Sequence, residues 1–312
     1  ADVTAADIQL TPDVEILKLD VNGGLPRARN IGLRHVDSKF VLLIDNDLYA
    51  EPDCLEHLMR AMAEEDAVIV CPRVRLTPRR EIVQADGAAP HFVGTLLLRH
   101  AFRPVDQLSA SRSEVDGCIG ACMLLPRVHV LEAGGFDELY FFYFEDLEFS
   151  LRMRSFGGRF VCEPAAVVYH DRGTGTPNLS FRGEGQYPRR RAYLTMRHRI
   201  LTILIHYRLR TLLILAPPLA CYEAASMALA LLRGWSWQWI RAWGWNLVNL
   251  PTIRTRRKRV QRRRLRNDRD LLTGGPLPLA EGLTTSRLQL ALVSLFSRAL
   301  NAYWKAARRW IG

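Results

Sequence analysis

Two carboxylates one residue apart, Asp45 and Asp47, close an apolar run from Phe40 to Ile44. A short apolar run bounded by polar residues reads as a buried strand. Carboxylates where it stops stand at the rim of a sheet, and in open α/β sheets ligands bind at that rim. Two hard oxygen ligands suit Mg²⁺ or Mn²⁺, which normally share their shell with substrate phosphates. By itself Asp45-Asn46-Asp47 also fits a solvated turn. Asn22-Gly23-Gly24, followed by Ala28-Arg29-Asn30-Ile31-Gly32, is a glycine loop feeding a helix. It offers backbone N–H groups to a phosphate or sugar, or serves as an ordinary strand–helix turn. In Phe142-Tyr143-Phe144-Glu145-Asp146, carboxylates stand beside aromatics where a helix begins. Aromatic faces stack on sugar rings, and a carboxylate there takes a hydroxyl proton or simply caps the helix. His170 ends the run Ala166-Val167-Val168-Tyr169 and offers a further metal ligand or a structural hydrogen bond.

The elements that position these residues alternate. Val14 to Leu19, Phe40 to Ile44 and Ala67 to Cys71 read as strands, and Arg27 to His35 and Pro52 to Glu65 as helices. The second helix carries Leu55, Leu58, Met59 and Met62 on one face. Residues 73–116 read as strands and loops over the site. Ile119 to Leu125 is a strand, Pro126 to Glu132 a short helix broken by Gly134-Gly135, and Asp146 to Phe156 a helix ended by Gly157-Gly158. Phe160 to Cys162 and Ala166 to Tyr169 close the domain as strands. Such alternation predicts an α/β fold with a mostly parallel sheet.

The charge is divided. Residues 1–187 hold 19 basic and 28 acidic side chains, and residues 188–312 hold 24 and 4. The second part opens with Arg189-Arg190-Arg191. Its run Thr211 to Leu232 is long enough to span a bilayer, although Pro217-Pro218 and Glu223 suit a re-entrant or interfacial segment equally. Trp235, Trp237, Trp239, Trp243 and Trp245 suit the headgroup level. Ten Lys and Arg follow between Arg254 and Arg269. From Ser286 to Trp310 the tail is amphipathic, with Leu288, Leu292, Leu295, Ala299 and Tyr303 on one face, as in an interfacial helix. A nucleic-acid module needs no apolar, Trp-dense stretch beside its basic patch, which argues for an anionic membrane surface and against nucleic acid. Six cysteines show no disulfide spacing and read as buried thiols. Cys118 and Cys122 lack the second pair that a zinc site needs. The chain opens at Ala1 with no initiator Met or signal peptide, which reads as a truncated or processed product.

Taken in order, these motifs resemble the family 2 glycosyltransferases, especially the rhamnosyl- and galactofuranosyl-transferase-like branch. The resemblance covers about residues 1 to 175. It rests on the Asn22–Gly24 loop, Ala28-Arg29-Asn30-x-Gly32, Asp45-Asn46-Asp47, Gly120-Ala121-Cys122-Met123-Leu124, Gly134-Gly135-Phe136-Asp137-Glu138, Glu145-Asp146-Leu147-Glu148 and His170. It implies the GT-A fold over residues 1–187, followed by a basic, Trp-rich, helical membrane-associated region over 188–312. It implies a Mn²⁺ or Mg²⁺ ion held by Asp45, Asp47 and His170. It further implies donor contacts from Arg29, Asn30, Asp45, Gly120 and Ala121, acceptor contacts from Phe136, Asp137, Glu145 and Glu148, and Asp146 as catalytic base. The expected reaction is inverting transfer from a nucleotide-diphosphate sugar to a cell-envelope or lipid-linked glycan, at the cytoplasmic face of the inner membrane. Ala1-Asp2-Val3-Thr4 looks like the residues just after the family's first strand–helix–strand unit. Roughly 40–60 residues of the usual domain are therefore expected to be missing, which leaves a non-catalytic sugar-recognition or scaffold module as the alternative.

Overall fold

The computed structural model describes residues 14–65, 69–171, 187–278 and 286–311. The first half runs α1 (Leu25–His35), β1 (Phe40–Ile44), β2 (Leu48–Ala50), α2 (Cys54–Glu64), β3 (Ile69–Thr77), β4 (Val83–Ala85), β5 (Ala88–His91), β6 (Thr95–Leu98), β7 (Ser113–Val115), β8 (Cys122–Pro126), α3 (Arg127–Glu132), α4 (Glu145–Ser155) and β9 (Phe160–Asp171). The main sheet has the order β1-β8-β3-β9-β2, with β4 added on β3 and β7 on β9. Strands β5 and β6 form a separate hairpin.

The α/β character expected from the alternation is present, but the sheet is mixed. Among the described residues only β3 and β9 pair in parallel, and the other ladders of the main sheet are antiparallel. Hydrophobic runs record burial, not direction; β8 returns antiparallel between β1 and β3 with the same apolar content a parallel strand would carry. Both faces of β8 are buried. Met123 and Leu125 face a core with Leu33, Phe136 and Phe149, while Cys122 and Leu124 face one with Leu58 and Met62. This is the period-two consequence of a sheet covered on two sides.

Three local expectations need correction. Residues 14–19 form no strand, and Val14, Ile16, Leu17 and Leu19 are exposed, since no described strand offers them a ladder. The strand expected over Ala67 to Cys71 is present in its described part, from Ile69, and runs on to Thr77, while Ala67 lies outside the described residues. Helix α2 buries Cys54, Leu58, Ala61 and Met62 and leaves Leu55 and Met59 outward, because the small Cys54 and Ala61 let the helix approach the sheet. The two closing strands are one strand, β9, continuous through a register shift opposite Pro72/Arg73.

The second half is helical: α5 (Arg189–His206), α6 (Leu209–Leu232), α7 (Ser236–Val248), α8 (Leu250–Arg263), α9 (Asp268–Leu271) and α10 (Arg287–Ala307). Helix α5 is the spine and packs on α4, α7 and α8. The two halves share cores. Phe92 stacks on Trp304 with centroids 5.0 Å apart, and Leu147 and Leu151 of α4 join Ile203, Tyr207 and Leu271. The Tyr140 hydroxyl meets that of Thr202 at 3.0 Å. Helix α6 is long and apolar enough to cross a bilayer by length and composition, and only 11% of its apolar window is buried. Its Glu223 pairs with Arg199 and accepts the indole N–H groups of Trp239 and Trp243 at 2.8 Å. Helix α10 opens with a Ser286/Gln289 capping box. It buries Leu300 and Trp304, while Leu288, Leu292 and Leu295 of the expected apolar face point outward. All six cysteines are free thiols, and all but Cys221 are buried.

Candidate active site

Strand β1 delivers the acidic rim. The Asp45 amide donates to the Ala121 carbonyl at 2.8 Å, extending the β1–β8 ladder by one residue. Strand β2 then leaves along β9, with Leu48 opposite His170. This pairing brings the Asp47 carboxylate to His170 Nε2 at 3.1 Å, while His170 Nδ1 meets Gln84 Oε1 at 2.8 Å. His170 is buried. Gln84 and Asp47 thus hold the ring at its two nitrogens and fix its orientation, with Nε2 on the Asp47 side of the rim. Gln84 escaped the sequence reading, because nothing in β4 marks it; only the β3–β4 pairing carries it to His170.

The other half of the rim is organised by Arg29. Helix α1 starts with Pro26 in its first turn after Gly24, whose φ is 87°. It buries Arg29 and Asn30 along with Leu33. Arg29 Nη2 donates to the Gly120 carbonyl at 2.6 Å and to Asp45 Oδ1 at 3.1 Å. Its guanidinium lies 5.4 Å from the Phe136 ring centroid. A Cβ on Gly120 would stand 2.7 Å from Arg29 Nη1, so any side chain there would push the guanidinium aside. Burial pushes the Asp45 carboxyl above its ordinary range; Arg29 opposes the rise and Asp47 adds to it.

Asn30 is wholly engaged elsewhere. Its Nδ2 donates to the Phe136 carbonyl and to Glu138, and its Oδ1 accepts the Phe136 amide at 2.7 Å. A Cβ on Gly135 would lie 2.4 Å from that oxygen, which explains the second glycine of the pair. Asn30 thus clamps the loop from Gly134 to Glu138 behind the rim. Phe136 is buried there, stacked on Phe149 at 4.3 Å.

The aromatic loop turns sharply into α4. Tyr143 and Phe144 hold φ of 67° and 69°, conformations that L side chains rarely adopt and that concentrate at functional sites. Helix α5 fixes this loop. Arg197 donates to the Leu139 carbonyl at 2.6 Å, and His198 Nδ1 donates to that of Tyr143 at 2.8 Å. Glu145 and Asp146 follow as the first helical residues. Burial, then the charge of Asp146, raises the Glu145 carboxyl to about 8, with Arg29 pulling the other way. Glu145 Oε2 and Arg29 Nη1 are both buried with no hydrogen-bond partner. Asp146 is raised chiefly by burial, against the Leu147 amide and Arg29. Glu148 behaves oppositely. Burial alone would raise it, but Arg152 (2.7 and 3.1 Å) and His206 hold it at about 2. It is a core ion pair. Asp137 is half-buried beside Arg256 at 3.6 Å, and desolvation raises its pKa.

The fold therefore gathers Arg29, Asp45, Gly120, Glu145 and Asp146 around one guanidinium, with Ala121 held in the adjoining ladder and Asp47 and His170 two residues along the rim. Asn30, Phe136 and Glu148 lie behind, where they brace the site. Among the described residues no three His, Cys, Asp or Glu side chains converge closely enough to hold a metal; Asp45 is turned to Arg29, and Asp47 with His170 is the remaining donor pair.

A mixed α/β sheet carrying an acidic rim at the end of β1, with helical carboxylates opposite, has the architecture of a group-transfer domain. The model of the family described as glycosyl transferase family 2 matches residues 2–128. The match includes Arg29, Asp45, Asp47 and Gly120 and ends before Phe136, Asp146 and His170. A relative from Mycobacterium tuberculosis (strain H37Rv), N-acetylglucosaminyl-diphospho-decaprenol L-rhamnosyltransferase, is 35% identical over 71 residues, and the same protein of strain CDC 1551 matches equally. The aligned segment spans 23% of this chain and 23% of the relative. Among solved structures, GalNAc-T7 with UDP, GalNAc and Mn²⁺ aligns with a TM-score of 0.46 and 14% identity over 61% of this chain and 37% of that one. Staphylococcus aureus TarS 1-349 with UDP-GlcNAc aligns at 0.41 and 17%, over 73% and 62%. Likeness at this level does not extend to individual residues.

Proposed function

We propose that this protein transfers a sugar from a nucleotide-diphosphate donor to a hydroxyl of a cell-envelope or lipid-linked glycan, with inversion at the anomeric carbon. The observation that carries the reading is the convergence of Asp45, Glu145 and Asp146 on Arg29 beside the Asp47–His170 pair. Asp146 is the base: its raised proton affinity suits a carboxylate that must accept a hydroxyl proton near neutral pH. The acceptor oxygen attacks the anomeric carbon as its proton passes to Asp146, and the bond to the diphosphate breaks on the opposite face. Glu145, protonated at neutral pH, donates a hydrogen bond to the acceptor side. Arg29 keeps the carboxylates poised and sets the donor side of the rim with Gly120 and Ala121.

Asp47 and His170 fit a divalent cation in donor type and in the Gln84 contact that orients the imidazole. Mn²⁺ or Mg²⁺ held there, with Asp45 completing the set on release from Arg29, would neutralise the leaving diphosphate. Helix α6, the outward Leu288, Leu292 and Leu295 of α10, and the basic α8 support attachment to an anionic membrane at its cytoplasmic face. The relative named for a diphospho-decaprenol acceptor supports a lipid-linked substrate and the rhamnosyltransferase-like branch.

The test is thermal stabilisation of the purified chain by UDP, GDP and dTDP, each with and without Mn²⁺. A shift that needs both nucleotide and metal and vanishes in Asp47→Ala supports the donor site. Asp146→Asn should keep that shift and lose turnover by about a hundredfold or more. Near-normal turnover would remove Asp146 as base.

A further inference from the structure

A second concave site lies apart from the rim. It is a cavity of about 490 Å³ between α5, α7 and the aromatic loop, lined by Arg189, Arg190, Arg197, Arg241, Tyr193 and Gln238 among others. No lining residue is a carboxylate, and among the described residues none of the four arginines pairs with one. Aromatic faces hold the guanidinium groups instead. Arg190 lies 4.9 Å from the Phe141 ring centroid, Arg241 4.9 Å from that of Tyr193, and Arg197 4.0 Å from that of Trp245. A stacked guanidinium keeps its N–H edge free for an oxyanion. Two polar atoms here, Arg197 Nε and Gln238 Oε1, are buried without a hydrogen-bond partner. Four like charges in one concavity repel each other, and a bound anion is the simplest relief.

We propose that this pocket binds a diphosphate group, and that its source is the lipid-linked acceptor. The proposal rests on the glycosyltransferase reading for its role, and on the arginines for its chemistry. Arg forks match phosphate oxygens bidentately and need no cation between. This distinguishes the pocket from the acidic rim, where a diphosphate requires a metal. Its place suits an acceptor. Phe141 lines the pocket, its carbonyl accepts the Leu25 amide at 3.0 Å, and its chain runs on through Tyr143 and Phe144 to Asp146. A lipid diphosphate seated there would present its sugar from the side of the loop that leads to the base. On α7, Trp237 and Ile240 are exposed next to Gln238 and Arg241, giving the tail an apolar face. The same α5 that lines the pocket also holds the loop through Arg197 and His198, so an occupied pocket and an ordered base are mechanically joined.

The experiment uses the full chain in detergent. Binding is measured for a polyprenyl diphosphate, for inorganic pyrophosphate and for UDP with Mn²⁺, in the native protein and in Arg190→Gln/Arg241→Gln. Both residues are exposed, so folding is expected to survive, and unchanged melting of the unliganded variant checks it. The expected result is a loss of about tenfold or more in polyprenyl diphosphate affinity for each charge-assisted contact removed, partial recovery in Arg190→Lys/Arg241→Lys, and an unchanged response to UDP with Mn²⁺. Pyrophosphate should compete with the lipid. Unchanged lipid affinity in the double variant overturns the proposal, as does loss of UDP binding with lipid binding intact, which would assign the pocket to the donor. If UDP with Mn²⁺ gives no response while the lipid still binds through these arginines, the donor reading fails and the pocket stands.

Discussion

Replacing Arg29 by Met tests the electrostatic organisation of the rim directly. The guanidinium is 6% exposed and holds Gly120 and Asp45. Its charge lowers the proton affinity of Asp45, Glu145 and Asp146 together. A unit charge about 5 Å from a carboxylate, at an effective dielectric of about 20, is worth about 3 kcal/mol, so each carboxyl should titrate at higher pH once that charge is removed. Glu145, already at about 8, moves further from neutral pH, and Asp146 shifts toward its protonated form, in which it cannot serve the proposed role of base. Titration of ¹³C-labelled carboxyl groups reads the shift with no dependence on activity, and the acid limb of the pH–rate profile should move to higher pH by the same amount. Gly120→Ala provides the independent arm, since its Cβ displaces the guanidinium without removing the charge. The shift should have the same sign and be smaller. If all three carboxyls titrate unchanged in an Arg29→Met protein that melts cooperatively, Arg29 does not poise the site.

Trp304→Ala should destabilise the protein by about 3–5 kcal/mol in denaturant unfolding, because the indole is 3% exposed and stacked on Phe92; a loss below about 1 kcal/mol would mean that the two halves do not share this core. Two buried histidines cost stability in acid. Burial lowers His91 to about 4 and His198 to about 3, so between about pH 6.5 and those values the unfolded chain binds more protons and the folded state loses ground. His91 alone contributes on the order of 3 kcal/mol to that loss, and a stability difference between the native protein and His91→Gln that stays constant from pH 7 to 4.5 would refute it. Glu148, held at about 2 by Arg152 and His206, adds to the acid loss below its ordinary range. Glu145 works in the opposite sense, favouring the folded state at low pH and giving that up as pH rises toward 8.

The sequence carried local structure faithfully where one pattern had one meaning. Phe40–Ile44 is a strand, Pro26 and Gly24 open α1, and Gly157 follows α4. It also singled out Asp45, Asp47, Asp146 and His170 as chemistry, since carboxylates and an imidazole at the ends of apolar elements have few structural partners in their own neighbourhood. Strand direction was not legible, because burial on two faces looks the same for β8 whichever way it runs. Nor was the division of labour within adjacent residues. Arg29 and Asn30 are neighbours in one motif, yet one faces the rim and the other clamps the loop behind it. Glu145 and Glu148 lie on one turn of one helix, yet one is neutral near pH 7 and the other a salt-bridged anion. The helical half read as a membrane appendage from its charge and tryptophans, while α5 also holds the loop that leads into Asp146.

Sequence alone thus determined which residue types were available, the apolar periodicity that makes each element, and the abrupt ends where polar groups had to emerge. Tertiary structure decided which of those groups met. Gln84 reaches His170 across 86 positions, and Arg29 reaches Gly120 across 91. The proton affinity of a carboxylate depends on the charges and desolvation within a few ångströms of it, and those neighbours come from segments far apart along the chain.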